Sequence, residues 1–313
     1  MSKLLFAVFG ATGNQGNSAA TFVLNDPELS SRYAVRAISR DTSNPKMQAL
    51  KSKGAELVQA DLNDASSLPA ALKGVDYLFF LTTTQYQGNS REIETRQSKG
   101  VCEEALRQGV KYIIFSSMSH PFKISNGALK NVEHFDDKAE IEQYIRSLPV
   151  KSAFFAPASF MQNVQSNFMK PRPSPVGDGT FVIANILPAE SRVPLIDISE
   201  TGLWIGAILA DPEKYNGKFF AAAEGLYSLD EMCEIMSKVT GKTVKYQRLP
   251  DEVFKGFLPE GLREALYEMW VLNRDYGYYG KDMEEQVQWA KGQARGKITG
   301  FEEFLRREGY MLE

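Results

Sequence analysis

The sequence predicts an α/β fold, a doubly wound parallel sheet joined to a smaller, mostly helical second lobe. Three observations carry this. A six-residue apolar run from Leu4 to Phe9 meets three glycines spaced by three, Gly10, Gly13 and Gly16. Short β-rich runs then alternate with helical runs as far as Pro157. Past Pro157 the rhythm loosens and well-marked helix starts take over.

In chain order, "LLFAVF" reads as the first strand and 17–25 as its helix. There follow "YAVRAIS" with a helix over 45–53, "AELVQAD" with 65–73, and "DYLFFLT" with 91–108. "KYIIFSS" precedes a helix at about 131–147, and "SAFFAP" closes the series. The strand runs are continuously apolar rather than alternating, as expected where helices cover both sheet faces. This Rossmann-type domain is predicted to span 1–156.

The stretch "MKPRPSPVGDGT", with three prolines and two glycines, predicts an irregular excursion. The chain then returns toward the sheet over about 193–222, with "RVPLIDIS", a helix over 200–210 and "GKFFAAA". Later helix starts fit capping boxes, in which a cap hydroxyl and a third-position carboxylate satisfy orphan amides reciprocally. Ser228 with Glu231 is one and Thr299 with Glu302 the other. Residues 157–313 are thus expected to build the smaller lobe, facing a substrate or a partner.

At 313 residues, 43% hydrophobic and 24% charged, the chain is an ordinary globular length and composition. A net charge of −3 gives no basic field, so direct nucleic-acid binding is not expected. Two cysteines, Cys102 and Cys233, and two histidines, His120 and His134, lack zinc-site spacing. A reduced, metal-free protein of the cytoplasm, and also of the nucleus, is expected. The apolar run before Gly10 is too short for a signal-peptide core, and no stretch approaches a membrane span, which predicts a soluble chain. Oligomeric state has no signal in the sequence.

Gly10, Gly13 and Gly16 leave a predicted strand and open a predicted helix, the setting in which a dinucleotide pyrophosphate meets helix-terminal amides. The spacing is GxxGxxG, and a plain tight turn is the bland alternative. The second strand selects the dinucleotide. Where NAD-binding chains place a carboxylate for the ribose 2′-hydroxyl, this one has Ser39 and Arg40, and a guanidinium suits a 2′-phosphate. Asp41 follows and is positioned to pair with Arg40, which would blunt that preference. Lys46 is a second phosphate candidate. At later strand ends, Asp61 and Leu62 suit the adenine, and Thr82, Thr83 and Thr84 suit the ribose and nicotinamide side. Threonines also end strands for β-propensity alone.

Together, "GATGNQG", the "SR" of the second strand, "SSMS", "HFDDK", "APASFMQN", "VPLIDISETG" and "FEEFLRREG" resemble the NmrA-like family of atypical short-chain dehydrogenases. The resemblance spans nearly the whole chain. It implies an NADP(H)-binding Rossmann domain with a small second lobe. Some members reduce quinones, dyes or aromatic metabolites; others are sensors that report cofactor state to regulatory partners. Carried over by motif, Gly10, Thr12, Gly13, Asn14, Gln15 and Gly16 would hold the pyrophosphate and Arg40 the 2′-phosphate. Lys138 would reach the nicotinamide ribose, with Pro157 and Phe160 beside the nicotinamide. Ala156 and Gln162 stand where many members carry arginine and glutamate, so no charged substrate anchor is expected there.

An ordinary short-chain dehydrogenase uses a tyrosine and a lysine one helical turn apart. This chain keeps the lysine, Lys138, and has His134 at the tyrosine position. His134 is either the proton donor or a polar neighbour of a ribose-binding lysine, and a nearby ammonium would lower its pKa. Ser117 either polarises a substrate carbonyl or satisfies a loop amide. Trp270, Tyr276, Tyr278 and Tyr279 either line a pocket for a flat substrate or form core or partner surface. Two functions follow: an NADPH-dependent oxidoreductase of a small carbonyl, quinone or aromatic compound, or a nonenzymatic NADP(H) sensor acting on a regulatory protein partner.

Overall fold

The predicted first strand forms as β1 (Leu4–Phe9), and its side chains alternate between two buried faces. Phe6 and Val8 pack on one side and Ala7 and Phe9 on the other, none more than 3% exposed. A strand covered on both faces has no reason to alternate polar with apolar, which is why it reads as an unbroken apolar run. The computed structural model describes residues 2–85, 88–165 and 169–312.

Up to Pro157 the elements are α1 (Asn14–Asn25), α2 (Pro27–Arg32), β2 (Tyr33–Ser39), α3 (Pro45–Ser52), β3 (Glu56–Gln59), α4 (Leu68–Leu72) and β4 (Tyr77–Phe80). They continue with α5 (Ser90–Arg107), β5 (Tyr112–Ser116), α6 (Pro121–Ile124), α7 (Glu133–Arg146) and β6 (Lys151–Pro157). Local chemistry sets several boundaries. Asp26 accepts from the Leu29 amide at 2.9 Å and Asn44 from the Lys46 amide, and in both helices proline takes the first position.

Beyond Pro157 come β7 (Ser159–Phe160), β8 (Arg172–Pro173), β9 (Phe181–Asn185), β10 (Val193–Ile196), α8 (Thr201–Ala210), β11 (Phe219–Ala222), β12 (Gly225–Tyr227) and α9 (Leu229–Thr240). The chain ends with β13 (Val244–Arg248), α10 (Asp251–Phe257), α11 (Arg263–Val271), α12 (Met283–Gln293) and α13 (Phe301–Arg307).

The large sheet has seven strands in the order β11-β6-β5-β4-β1-β2-β3, each pair of neighbours parallel. Its first six strands follow the Rossmann order, which reverses direction between β1 and β4 and opens a crevice at their carboxyl ends. The expected return of the chain is met by β11, which pairs with β6, and by α8, buried against α1. "RVPLIDIS" does not join that sheet. Val193–Ile196 instead pairs with β7 and β12 in a separate three-stranded sheet. The proline-rich excursion also gains order, because β8 pairs antiparallel with β9 in a third sheet with β13.

The Ser228–Glu231 capping box forms at α9. The Thr299–Glu302 box does not. The Thr299 amide and hydroxyl both donate to the Glu200 carboxylate, the amide at 3.0 Å, and Gly300 takes the cap position of α13. Glu302 is held by Lys238 and Arg306 instead. Tyr279 donates to the Ala156 carbonyl at 2.8 Å, tying the carboxyl-terminal segment to the end of β6. Among the described residues no helix is long and apolar enough to cross a membrane, and no three His, Cys, Asp or Glu side chains cluster as metal ligands.

Candidate functional site

At the end of β1, Gly10 adopts a φ of +67°, which a side chain rarely tolerates. Gly16 is excluded from bearing a side chain by space, since a Cβ there would fall 2.3 Å from the Gly10 carbonyl oxygen. Gly13 is the N-cap of α1, in ordinary extended backbone. Among the described residues no side chain caps this helix, and its first turn, from Asn14, carries no acidic residue. Thr12 and Gln15 are half-buried and Gly10, Gly13 and Asn14 exposed, so the uncapped amides and dipole end present a site that fits an anion.

The Ala11 amide donates to the Ile38 carbonyl at 3.2 Å, which brings the end of β2 alongside this turn. Ser39 is nearly buried, and its hydroxyl accepts from the Asp41 amide. Arg40 is exposed. Asp41 does not take it as a partner: its carboxylate accepts from the Ser43 amide at 2.8 Å and hydroxyl at 2.6 Å. Those bonds hold the Asp41 carboxyl below its usual range and leave Arg40 without a carboxylate partner among the described residues. Lys46 lines an open groove together with Asn14. The Asp61 carboxylate organises its own turn by accepting from the Asn63 amide, while Leu62 lines a separate groove beside α5.

A cavity of about 310 Å³ opens at the carboxyl ends of β4, β5 and β6. It brings together Gln15, Thr82, Thr84, His134, Lys138, Pro157 and Phe160 from the predicted set; Thr83 is exposed outside it. Its apolar walls include Met118, Met169, Met269, Trp270 and Tyr278. Trp270 and Tyr278 are therefore cavity wall and, at 6% and 8% exposure, core as well. Tyr276 packs against the core and Tyr279 is buried within it. Asn163 and Asn273 add amides, and Lys138 is the one charged residue among the described lining.

His134 and Lys138 sit one turn apart on α7 and both reach the cavity. The Lys138 ammonium donates to Glu94 Oε2 at 2.5 Å, to Thr82 Oγ1 at 3.1 Å and to the Thr82 carbonyl at 3.3 Å. The Thr82 hydroxyl in turn donates to the Glu94 carboxylate. The lysine charge is thus matched inside the protein. His134 is pushed down to about 4, first by burial and then by the Lys138 charge. At neutral pH it is an uncharged imidazole, able to give a hydrogen bond but not to act as a cationic acid.

Ser117 is placed away from this chemistry. It is fully buried, and its hydroxyl donates to Glu142 Oε2 at 2.5 Å. Adjacent strand residues face opposite sides, so the neighbour, Ser116, lines the cavity and donates to Gln15 Oε1 at 2.7 Å. That bond also turns the Gln15 side chain into the cavity. Gln162 donates to the buried Asp197 carboxylate at 2.6 Å and serves that turn rather than a charged anchor, and Ala156 lies buried in β6. Glu94, Ser116, Asn163 and Asn273 had not been singled out from the sequence.

A family model described as the NmrA-like family matches residues 2–305. An NmrA-like family domain-containing protein of Dictyostelium discoideum is 30% identical over 322 residues, covering 100% of both chains. An NmrA-like family domain-containing oxidoreductase, FrzB of a Cladobotryum species, is 30% identical over 260 residues, 78% of this chain and 75% of its own. Among solved structures, NmrA, a negative transcriptional regulator in complex with NAD, superposes with a TM-score of 0.78 at 23% identity, over 98% of this chain and 95% of that one. The same regulator in complex with NADP gives 0.77 at 22% identity, with the same coverage.

Proposed function

The chain belongs to the NmrA-like family, and from that premise we propose that it binds NADP(H) and acts as an NADPH-dependent reductase of a small uncharged quinone or conjugated aromatic compound. The observation that carries this is the cavity of about 310 Å³, apolar-walled and holding the His134–Lys138 pair at the carboxyl ends of the sheet. The glycine turn and the open start of α1 would hold the pyrophosphate, Arg40 and Lys46 the 2′-phosphate, and Lys138 the nicotinamide ribose. The bound cofactor supplies a hydride.

The cavity's own groups select the acceptor. With Lys138 matched by Glu94 and His134 neutral, the described lining offers no surplus charge for an organic acid. Reduction of a simple aldehyde builds an alkoxide whose full charge calls for a proton donor positioned against it in the transition state, whereas a quinone leaves a stabilised phenolate that water or a neutral imidazole N–H can serve. The methionine and tryptophan walls suit a flat, polarisable ring.

A second reading is favoured by the same histidine. A half-buried, neutral residue in place of the usual tyrosine fits a protein that binds NADP(H) without turning it over, its occupancy read by a regulatory partner, as the likeness to a negative transcriptional regulator also suggests. NADPH consumption measured against quinones, conjugated aromatics and aldehydes tests the first reading. Turnover confined to quinones and conjugated rings supports it; none with any acceptor removes it in favour of the second.

A further inference from the structure

Glu94 lies on α5 with no exposed surface, yet it is an ionisable side chain. Burying a carboxylate is costly unless it is paired and fully hydrogen-bonded, and this one is both. Its Oε2 accepts from Lys138 and from the Thr82 hydroxyl, and its Oε1 accepts from the Ser90 hydroxyl at 3.1 Å. Ser90, the first residue of α5, thereby fixes the plane of the carboxylate that faces the lysine.

Lys138 has three ammonium protons on a flexible four-carbon stem, and its Nζ lies within hydrogen-bond distance of three protein acceptors. Only the Glu94 acceptor is charged. The longest bond, to the Thr82 carbonyl at 3.3 Å, is the one a ligand hydroxyl can replace at least cost. Without Glu94 the ammonium would keep only neutral acceptors from a single threonine, too little to hold one rotamer of a long side chain.

We infer that Glu94 is a positioning residue whose buried carboxylate fixes the Lys138 ammonium at the end of β4, where it meets the nicotinamide ribose of NADP(H). The inference rests on the proposed NADP(H) reading. It makes Glu94 act through Lys138 alone, on the nicotinamide half of the cofactor. The adenosine half, gripped at Arg40 and the glycine turn, should not sense it.

The test titrates the full-length protein with NADPH and, separately, with adenosine 2′,5′-bisphosphate, which ends before the nicotinamide ribose. Glu94→Gln keeps the volume and can still accept from Ser90. It is expected to weaken NADPH binding about tenfold or more, the scale of one charged hydrogen bond, and to leave the bisphosphate within about twofold. NADPH binding that is unchanged or tighter overturns the inference, as does an equal loss for both ligands, which marks a purely structural role. Should Glu94→Gln not fold, Lys138→Met is compared with the Lys138→Met, Glu94→Gln double variant. Equal NADPH affinity in these two supports action through Lys138, and a further loss in the double variant overturns it. If the unmodified protein binds neither ligand, the NADP(H) reading fails visibly and the inference falls with it.

Discussion

Lys138 Nζ stands 2.5 Å from Glu94 Oε2, with the lysine side chain 14% exposed and the glutamate side chain not exposed at all. The lysine that family resemblance marks for cofactor binding is therefore also the counter-charge of a buried carboxylate. Removing one member of such a pair strands the other, whereas replacing both by neutral groups is often nearly neutral. Lys138→Ala is accordingly expected to cost about 3–5 kcal/mol of stability, with most of it recovered on adding Glu94→Gln. Urea denaturation of the single and double variants measures this. A single variant as stable as the unmodified protein would show that the pair contributes nothing.

Cofactor choice is expected to follow Arg40. Its neighbour Asp41 is committed to Ser43, so the guanidinium remains available to a 2′-phosphate. NADPH should bind more tightly than NADH, and Arg40→Ala should erase most of that gap, about 1.5–3 kcal/mol for a charged hydrogen bond. Calorimetric titration with both cofactors decides the matter. Equal affinities in the unmodified protein would sink the assignment.

The two later glycines of the turn should respond differently to alanine. At Gly13 the backbone already suits any residue and an added Cβ meets only the Gly10 carbonyl, at 3.3 Å, so Gly13→Ala should fold and lose cofactor affinity. At Gly16 the Cβ would collide with backbone at 2.3 Å, so Gly16→Ala should lose the fold itself. Circular dichroism beside a binding titration separates these outcomes. Normal NADPH binding by Gly13→Ala would mean that the phosphate lies elsewhere.

What the sequence disclosed follows from what is local in it. The strands of the large sheet were legible because parallel strands covered on both faces leave unbroken apolar runs, and the glycine turn because its backbone demands are written in residue type. Pairing partners were not: the four residues of Val193–Ile196 have the same composition whichever sheet they join. The Thr299 cap was lost to Glu200, 99 residues away in the chain. In the site, Ser116, which ends β5, and Ser117, which follows it, show two hydroxyls but not which one faces the cavity, since that depends on the phase of the pleat. Glu94 was hidden for a related reason. It stands in the charged run "SREIETRQSK" of α5, where only the packing of α7 alongside distinguishes a buried carboxylate from a solvated one.

His134 should leave a mark on the pH dependence of stability. Its pKa falls from 6.5 to about 4 on folding, so between those values the unfolded chain binds a proton that the folded chain refuses. Stability carried by this group is full above about 6.5 and is lost as the pH falls toward 4. His134→Phe removes the contribution, so the drop in urea midpoint between pH 7 and pH 5 should be smaller in the variant. An identical drop in both proteins would show that the imidazole titrates normally.

The same neutral imidazole separates the two functions. If the protein is a reductase and His134 gives a hydrogen bond to the acceptor, His134→Phe should leave NADPH affinity nearly intact and reduce turnover by about 10²–10⁴, the range for a positioned acid or base. Because the ring stays uncharged well above its pKa of about 4, turnover should show no inflection near pH 6.5. An inflection there that disappears in His134→Phe would instead identify a cationic imidazole as the acid. If the protein is a sensor, no acceptor supports turnover, and cofactor should change protease susceptibility in the loops at 119–130 and 170–180. Protection of that kind requires NADP(H) to bind one loop arrangement more tightly than another. The first of these loops is already tied down, its end donating from the Lys130 and Asn131 amides to Glu268 at 2.7 Å, and Phe122 donating to Asp136 at 3.0 Å. Glu268→Ala should therefore raise its cleavage rate without cofactor, and in a sensor NADPH should restore part of the protection. Robust turnover lost in His134→Phe, with cleavage indifferent to NADPH, would end the sensor reading.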